Sequence, residues 1–278
     1  MTDRVIRPSS LTTWADCGRR WASQHLTAEV EAAGYKLQVQ RVTHVGAAIG
    51  SGVHAGASYT LEAKRSTGEL GNDTEAEQRA VAEFEERAEW GLDWDEASDN
   101  VSVAKRQIAR MTRSYRRHLA PEIDPIIIEQ RLEANIADGW TLSGQMDGTT
   151  GDPDTIIRDL KTGTRQRANN IQYGAYGLIL HAHGYNVRGL IEDFIPRVKI
   201  KDEQPRPHST EIPLQAAAMD AMETMEDIVR STAEFERRLL SQTGRAPHSA
   251  FRANPGSSLC SPRWCRAWGT DFCTAHRK

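Results

Sequence analysis

The spacing of hydrophobic and polar positions changes period twice along the chain. Residues 8–27 place Leu11, Trp14 and Trp21 at helical intervals, with Ser9 or Ser10 available as a cap, and predict a helix. A second helix is predicted over 44–64, entered through the glycine-rich run 46–52. Residues 67–73 read as a polar loop. The stretch 73–99 holds eleven acids against Arg79 and Arg87, and reads as a helix followed by a surface loop. The cleanest helical period lies over 101–119. Ala104, Ile108, Met111, Tyr115 and Leu119 form one stripe, with Arg106, Arg110, Arg113 and Arg117 opposite.

After Pro121 and Pro125 the period drops to two. Short strands are predicted over 125–136, 140–147 and 155–162, the last two joined by the turn formers Gly148, Gly151 and Pro153. A helix over 169–183, a fourth strand over 186–199 and a long helix over about 214–240 follow. Met222, Met225, Val229 and Phe235 lie on one side of that helix. The tail from Pro247 reads as loop. The order predicts one α/β domain over 1–278: a helical lobe in 1–120, an α/β core in 121–213, and a C-terminal helix and tail in 214–278.

Composition excludes extremes. The 278 residues are 38% hydrophobic and 26% charged, neither disordered nor fibrous. A net charge of −3 supplies no global basic field, so any nucleic-acid contact must use local patches. The arginine face of 101–119, with Lys105 and Arg116 beside it, is one such patch; a solvated outer face is the other reading. There is no apolar leader and no run of 18 apolar residues, which predicts a cytoplasmic protein with no membrane partner.

Chemistry concentrates in Gly144-Gln145-Met146-Asp147 and Asp159-Leu160-Lys161-Thr162-Gly163. Strand side chains alternate, so Asp159 and Lys161 share a face. Two carboxylates can hold a hard divalent cation, the Leu160 carbonyl can add an oxygen, and the ammonium can orient water or stabilise charge. Gln172 and Tyr176 lie one helical turn apart on one face. His54 follows Gly52 at the start of an apolar helical run, with His44 its upstream competitor. Cys17 stands far from Cys260, Cys265 and Cys273, whose spacing is not that of paired zinc knuckles. Bound iron and sulfur, bound zinc and reduced thiols remain alternatives.

Together these motifs resemble the RecB-type branch of the PD-(D/E)XK nuclease superfamily. Gly52-Val53-His54 looks like that branch's helix-borne histidine. The run Pro8-Ser9-Ser10-Leu11, with Trp14, Cys17, Arg19 and Trp21, is similar to the opening of its iron-sulfur members. The resemblance implies a mixed sheet flanked by helices with a C-terminal iron-sulfur tail. It implies Mg2+ or Mn2+ held by His54, Asp147, Asp159 and the Leu160 carbonyl. Lys161 would be the catalytic lysine, steadied by Gln172 and Tyr176. Glu129 would sit at the rim, with Glu133 competing for that role. Cys17, Cys260, Cys265 and Cys273 would hold a 4Fe-4S cluster, although the family's closing spacing often has a shorter first gap. Trp264 and Trp268 would shield it, with Trp14 and Trp21 nearby. The implied activity is metal-dependent hydrolysis of DNA, exonucleolytic on single strands or ends. The size resembles the phage-encoded and CRISPR-associated single-domain members, and so implies a recombination, DNA-processing or CRISPR-adaptation setting. The competing reading is a DNA-binding assembly factor with a silent site, working with recombination or CRISPR-adaptation proteins.

Overall fold

The computed structural model describes residues 4–39, 42–151, 153–167, 169–241 and 244–275. In chain order its elements are β1 (Arg4–Ile6), α1 (Pro8–Asp16), α2 (Gly18–His25), α3 (Thr27–Ala32), β2 (Thr43–His44), α4 (Val45–Thr67), α5 (Asp73–Ala88), β3 (Leu92–Asp93), α6 (Val101–His118), β4 (Pro125–Ala137), β5 (Trp140–Thr150), β6 (Asp154–Gly163), α7 (Asn170–Ala182), β7 (Asn186–Pro196), β8 (His208–Ile212) and α8 (Leu214–Ser241).

Six strands form a mixed sheet in the order β1-β5-β6-β7-β8, with β4 antiparallel to β5 along its other side. β5 shares one flank between two partners. Trp140–Leu142 pairs with β1, and Gly148–Thr150 pairs with β6. Between these pairings the sheet splits, and Asp147 sits at the split. β6 and β7 run parallel in register from Asp154↔Asn186 to Gly163↔Pro196.

Helices cover both faces of the sheet. On one, α4, α5 and α6 bury Val53, Phe84, Ile108, Met111 and Tyr115 against Ile128, Leu160 and Ile195. On the other, α1, α2, α7, α8 and the tail bury Trp21, Tyr173, Phe235, Phe251 and Phe272 against Leu142, Met146 and Ile157. Each such side chain, fully buried, is worth about 1.5–3 kcal/mol. Two glycines set the spacing. A Cβ on Gly52 would lie 2.5 Å from the Ala80 carbonyl, so α4 and α5 touch backbone to backbone there. A Cβ on Gly174 would lie 1.9 Å from the Ala217 carbonyl, the same device between α7 and α8.

Several sequence expectations change. The helix expected over 8–27 is two helices, because Cys17 is extended (φ −158°) and its sulfur caps α2 by accepting from Arg20 N. The expected caps Ser9 and Ser10 lie inside α1, whose first residue is Pro8. The first 120 residues do not pack as one lobe: α1 and α2 join α7, α8 and the tail, while α4–α6 form the opposite layer. Short pairing strands β1 and β8 carry no period to reveal them. On α8 the core stripe is Ala217, Ala221, Met225, Ile228, Thr232 and Phe235, and Met222 is exposed.

The arginine face of α6 is largely occupied by its own protein. Arg110 donates to the carbonyls of Val198, Lys199 and Asp202. Arg116 is buried and binds Asp73, Thr60 and the Leu70 and Gly71 carbonyls. Arg113 pairs with Glu77, and Lys105 with Glu85. These are packing contacts, which leaves Arg106 and Arg117 as the cations of the stripe without an ion pair among the described residues.

Candidate active site

Four elements converge at the split in the sheet. α4 brings His54, β4 brings Glu129, β5 brings Asp147, and β6 brings Asp159 and Lys161. His54 Nδ1 lies 3.0 Å from Asp147 Oδ1 and 3.8 Å from Glu129 Oε1. One ligand atom from each of the three falls within 4.8 Å of the others, a span that a single cation can bridge. Glu129 has φ +47°, and it is the one described non-glycine residue in that region. Such backbone is costly for a side chain with a Cβ and concentrates at functional positions. A small cavity of about 20 Å³ lies beside the three, lined also by Tyr115, Arg158 and Asp193.

Asp147 links the two strands that part there. Its Oδ2 accepts from Leu160 N at 2.7 Å, on the flank of β6 where the ladder to β5 has ended. Asp159 is buried and faces α7. Its Oδ2 lies 2.5 Å from Lys161 Nζ, an ion pair. Asp159 and Lys161 therefore share a face, as alternation requires. The residues expected to hold metal fall into two adjoining groups, His54 with Asp147 and Asp159 with Lys161, and the Leu160 peptide lies between them.

The charges respond to each other. Burial alone would lower His54, but the Asp147 charge and hydrogen bond, with those of Glu129, push it up to about 10. Burial would raise Asp147, yet His54 and Lys161 hold it below the usual carboxylate range. Burial pushes Asp159 up to about 6, aided by the Asp147 charge and opposed by Lys161. Burial would lower Lys161, but Asp159 and Asp147 raise it. The site sets three acids, Glu129, Asp147 and Asp159, against the His54 imidazole and the Lys161 ammonium.

Gln172 donates to the Tyr176 hydroxyl at 3.0 Å, so the pair is joined within α7. A Cβ on Gly144 would meet the Tyr176 ring at 3.0 Å, so this glycine admits α7 to β5. Two residues that the sequence reading did not single out complete the lysine's surroundings. Lys161 Nζ lies 5.7 Å from the Tyr173 ring centroid, and the Tyr173 hydroxyl donates to Glu192, which also accepts from Gln166. The signal in the sequence was Glu192-Asp193 inside an otherwise apolar strand, since buried acids need partners. Glu129 rather than Glu133 meets His54; Glu133 is exposed. His44 is remote in role: its side chain caps α4 by accepting from Gly46 N.

Cys17 lies against the tail that carries the other three cysteines: its thiol donates to the Arg252 carbonyl at 4.0 Å. The tail docks where α1 meets α2: Asn254 donates to the Asp16 carbonyl, Ser257 to the Asp16 carboxylate, and Arg19 to the Phe251 carbonyl. None of the four cysteines is in a disulfide. Burial pushes the Cys265 thiol up to about 11, with Cys17, Cys273 and Cys260 adding to it. Burial raises Cys260 too, followed by Cys17 and Cys273. Cys17 and Cys273 thus lie within electrostatic reach of both Cys260 and Cys265. Trp14 packs edge-on to Trp21 and Phe251 beside Cys17, while Trp264 is partly exposed and lies against His44 and Arg263.

A mixed sheet split at an aspartate, with an Asp-x-Lys strand alongside and helices on both faces, defines a nuclease-type α/β fold. The family model of the PD-(D/E)XK nuclease superfamily matches residues 6–270, and the chain belongs to that superfamily. A search among curated proteins finds no match. Among solved structures, a protein of Eubacterium rectale described as "putative exonuclease" is 12% identical, with TM-score 0.53, over 93% of this chain and 87% of that one. LHK-Exo in complex with dAMP is 11% identical, with TM-score 0.32, over 69% of this chain and 98% of that one. Among the described residues, no helix is long and apolar enough to cross a membrane.

Proposed function

We propose that this protein is a metal-dependent deoxyribonuclease acting as an exonuclease on single strands or DNA ends, in DNA recombination or processing. The observation that carries the reading is the meeting of His54, Glu129 and Asp147 within 4.8 Å, beside the buried Asp159–Lys161 pair. The mode and setting are carried over from the sequence resemblance.

The donor set suits a divalent ion. Two carboxylates and an imidazole are adjacent, and the buried Asp159 carboxylate, ion-paired with Lys161, lies alongside. His54, Glu129, Asp147, Asp159 and the Leu160 carbonyl would hold Mg2+ or Mn2+, the carboxylate and carbonyl oxygens suiting either ion. When bound, the cation would lower the pKa of a water and neutralise charge on the phosphate. The protein's own part is positional. Asp147 fixes β6 through Leu160 N, and Lys161, charged at neutral pH, stands where it can hold the attacking water or the phosphate oxygen. Tyr173 and Glu192 keep the lysine in place. Gln172 and Tyr176 hold α7 against the site strands.

Cys17, Cys260, Cys265 and Cys273 match a 4Fe-4S cluster in ligand number, and none of them is in a disulfide. When bound, it would tie the N-terminal helices to the tail as a structural link.

The test is digestion of end-labelled and circular single-stranded DNA with manganese, against EDTA. Loss of the linear substrate alone is expected, and abolition in Asp159→Asn and Lys161→Ala. Equal cutting by both variants would overturn the site, and binding without cutting would favour the assembly-factor reading. Purified protein should be brown and absorb near 400 nm; a colourless preparation with stoichiometric zinc would sink the cluster.

A further inference from the structure

The row of β5 side chains that begins at Asp147 continues away from the metal-competent residues. Gln145 and Ser143 follow it at intervals of two, on the same face of the strand. β4 runs beside them, with Arg131 opposite Gln145 and Glu133 opposite Ser143. A chain of hydrogen bonds links the row to the site. Gln145 Nε2 donates to Glu129 Oε2 at 2.8 Å, and Arg131 Nη2 donates to Gln145 Oε1 at 3.0 Å.

Ser143 is buried, 1% exposed, and its hydroxyl is the meeting point of two guanidinium groups. Arg131 Nη1 and Arg7 Nη1 each lie 3.3 Å from Ser143 Oγ, at the long end of hydrogen bonding. Neither arginine makes an ion pair with any described residue, and both are exposed. Two like charges are thus gathered on one neutral oxygen with most of their donors unused. The acids nearby do not quench them: Glu129 is engaged by Gln145 and His54, and Glu133 is exposed without an ion pair to either arginine. The field of Arg7 reaches His25, where it adds to burial in lowering the imidazole. In a chain of net charge −3, such an uncompensated pair calls for an anion.

Guanidinium forks match phosphate oxygens, and a hydroxyl between them adds a further donor. We infer that Arg7, Arg131 and Ser143 form a phosphate subsite that grips the DNA strand beside the metal-competent residues. The inference rests on the nuclease reading only for the identity of the strand. Ser143 lies four residues from Asp147, about 13 Å along an extended strand. The phosphate held there is therefore not the one being cut, but one further along the same strand. Either a backbone phosphate or a phosphorylated end would satisfy the same chemistry. The subsite would hold the strand against slipping while Asp147 and Lys161 act on the scissile bond.

The experiment is equilibrium binding of single-stranded oligonucleotides in EDTA over a range of salt, so that no cleavage is needed. Arg7→Gln and Arg131→Gln should each weaken binding. Each should also lower the steepness of log K against log salt, by about 0.7 per phosphate no longer neutralised. Arg131→Lys, which keeps the charge, should restore most of the slope but not all of the affinity. Arg117→Gln, on the outer face of α6, should match wild type in both. Substrates with 5′-phosphate, 3′-phosphate and hydroxyl ends, and a circular strand, separate the two sources. A loss confined to one phosphorylated end assigns a terminal phosphate, and an equal loss on the circle assigns a backbone phosphate. Either supports the subsite. Unchanged affinity and slope in both glutamine variants would overturn it, as would failure of wild type to bind any of the strands. Binding with the expected slopes but no manganese-dependent cutting would refute the nuclease reading and leave the subsite standing.

Discussion

The two helical layers on this sheet are built in opposite ways. The α4–α6 layer is continuous in sequence: neighbouring helices pack through close glycine contacts, and the layer's task is to lower His54 onto β5. The terminal layer is assembled from both ends of the chain, so that Trp21 and Phe251 touch the same cluster although more than two hundred residues separate them. Local contacts are cheap in chain entropy, and distant ones must first close a long loop. The metal-competent site draws on both layers, with His54 from the first and the α7 surroundings of Lys161 from the second. Bringing these groups together therefore requires that both layers be docked.

Replacing Cys17, one of the four proposed cluster ligands, should separate the layers most strongly. If the four thiolates bind one group, Cys17→Ser should cost on the order of 5 kcal/mol by the long-loop estimate. Thermal unfolding should show it, and hydrogen exchange should place the loosening in α1, α2 and the tail rather than in α4–α6. Equal loosening of both layers would mean that they are a single cooperative unit.

Truncating one buried side chain in each layer compares them directly. Phe251→Ala should cost about 3–5 kcal/mol and Ile108→Ala about 2–5 kcal/mol, read from urea midpoints. Both positions have zero exposure, so the expected losses overlap, but their consequences should differ. Ile108→Ala should release His54 and weaken manganese binding. Phe251→Ala should first expose the cysteines to thiol reagents.

A smaller effect is expected where the first layer is latched to the sheet. Arg197, just beyond β7, pairs with Asp95 at 2.5 Å and binds Ser98 before α6. Burial would raise Asp95, but Arg197 holds it below its ordinary value. A depressed carboxylate stabilises the fold above its unfolded pKa, near 3.9, and loses that contribution as pH falls through the folded value. Asp95→Asn should therefore be less stable at neutral pH and flatten the acid limb of the stability curve. An unchanged acid limb would show that the latch contributes nothing. Smallest of all, Arg106→Ala on the outer face of α6 should shift stability by no more than about 0.5 kcal/mol. A larger change would mean that this cation has a partner.

Much of this was legible in the residues. The stripe Ala104, Ile108, Met111, Tyr115 and Leu119 is buried throughout, because a strong helical period leaves one way to hide it. Asp159 and Lys161 lie on one face because strands alternate. Other features left no local trace. Cys17 breaks a helix whose apolar spacing runs straight through it, since its extended backbone sets up the α2 cap. Glu129 and Glu133 look equivalent along β4, and only register against β5 and the turn of backbone at φ +47° bring the first to His54. The arginines of α6 read as a binding face, yet carbonyls from the loop after β7 and acids on α5 claim most of them.

By itself, then, the sequence determined periods, and with them the helices, the paired strands and the identity of the acid-lysine group. These are short-range consequences of side-chain direction and of the need to bury apolar stripes. The tertiary structure alone decided which distant groups meet: His54 with Glu129 and Asp147, Tyr173 under Lys161, the tail on Cys17, and Arg7 with Arg131 on one hydroxyl. Those meetings depend on where the sheet splits and on how closely glycines let helices approach, and neither quantity is written in any local window of residues.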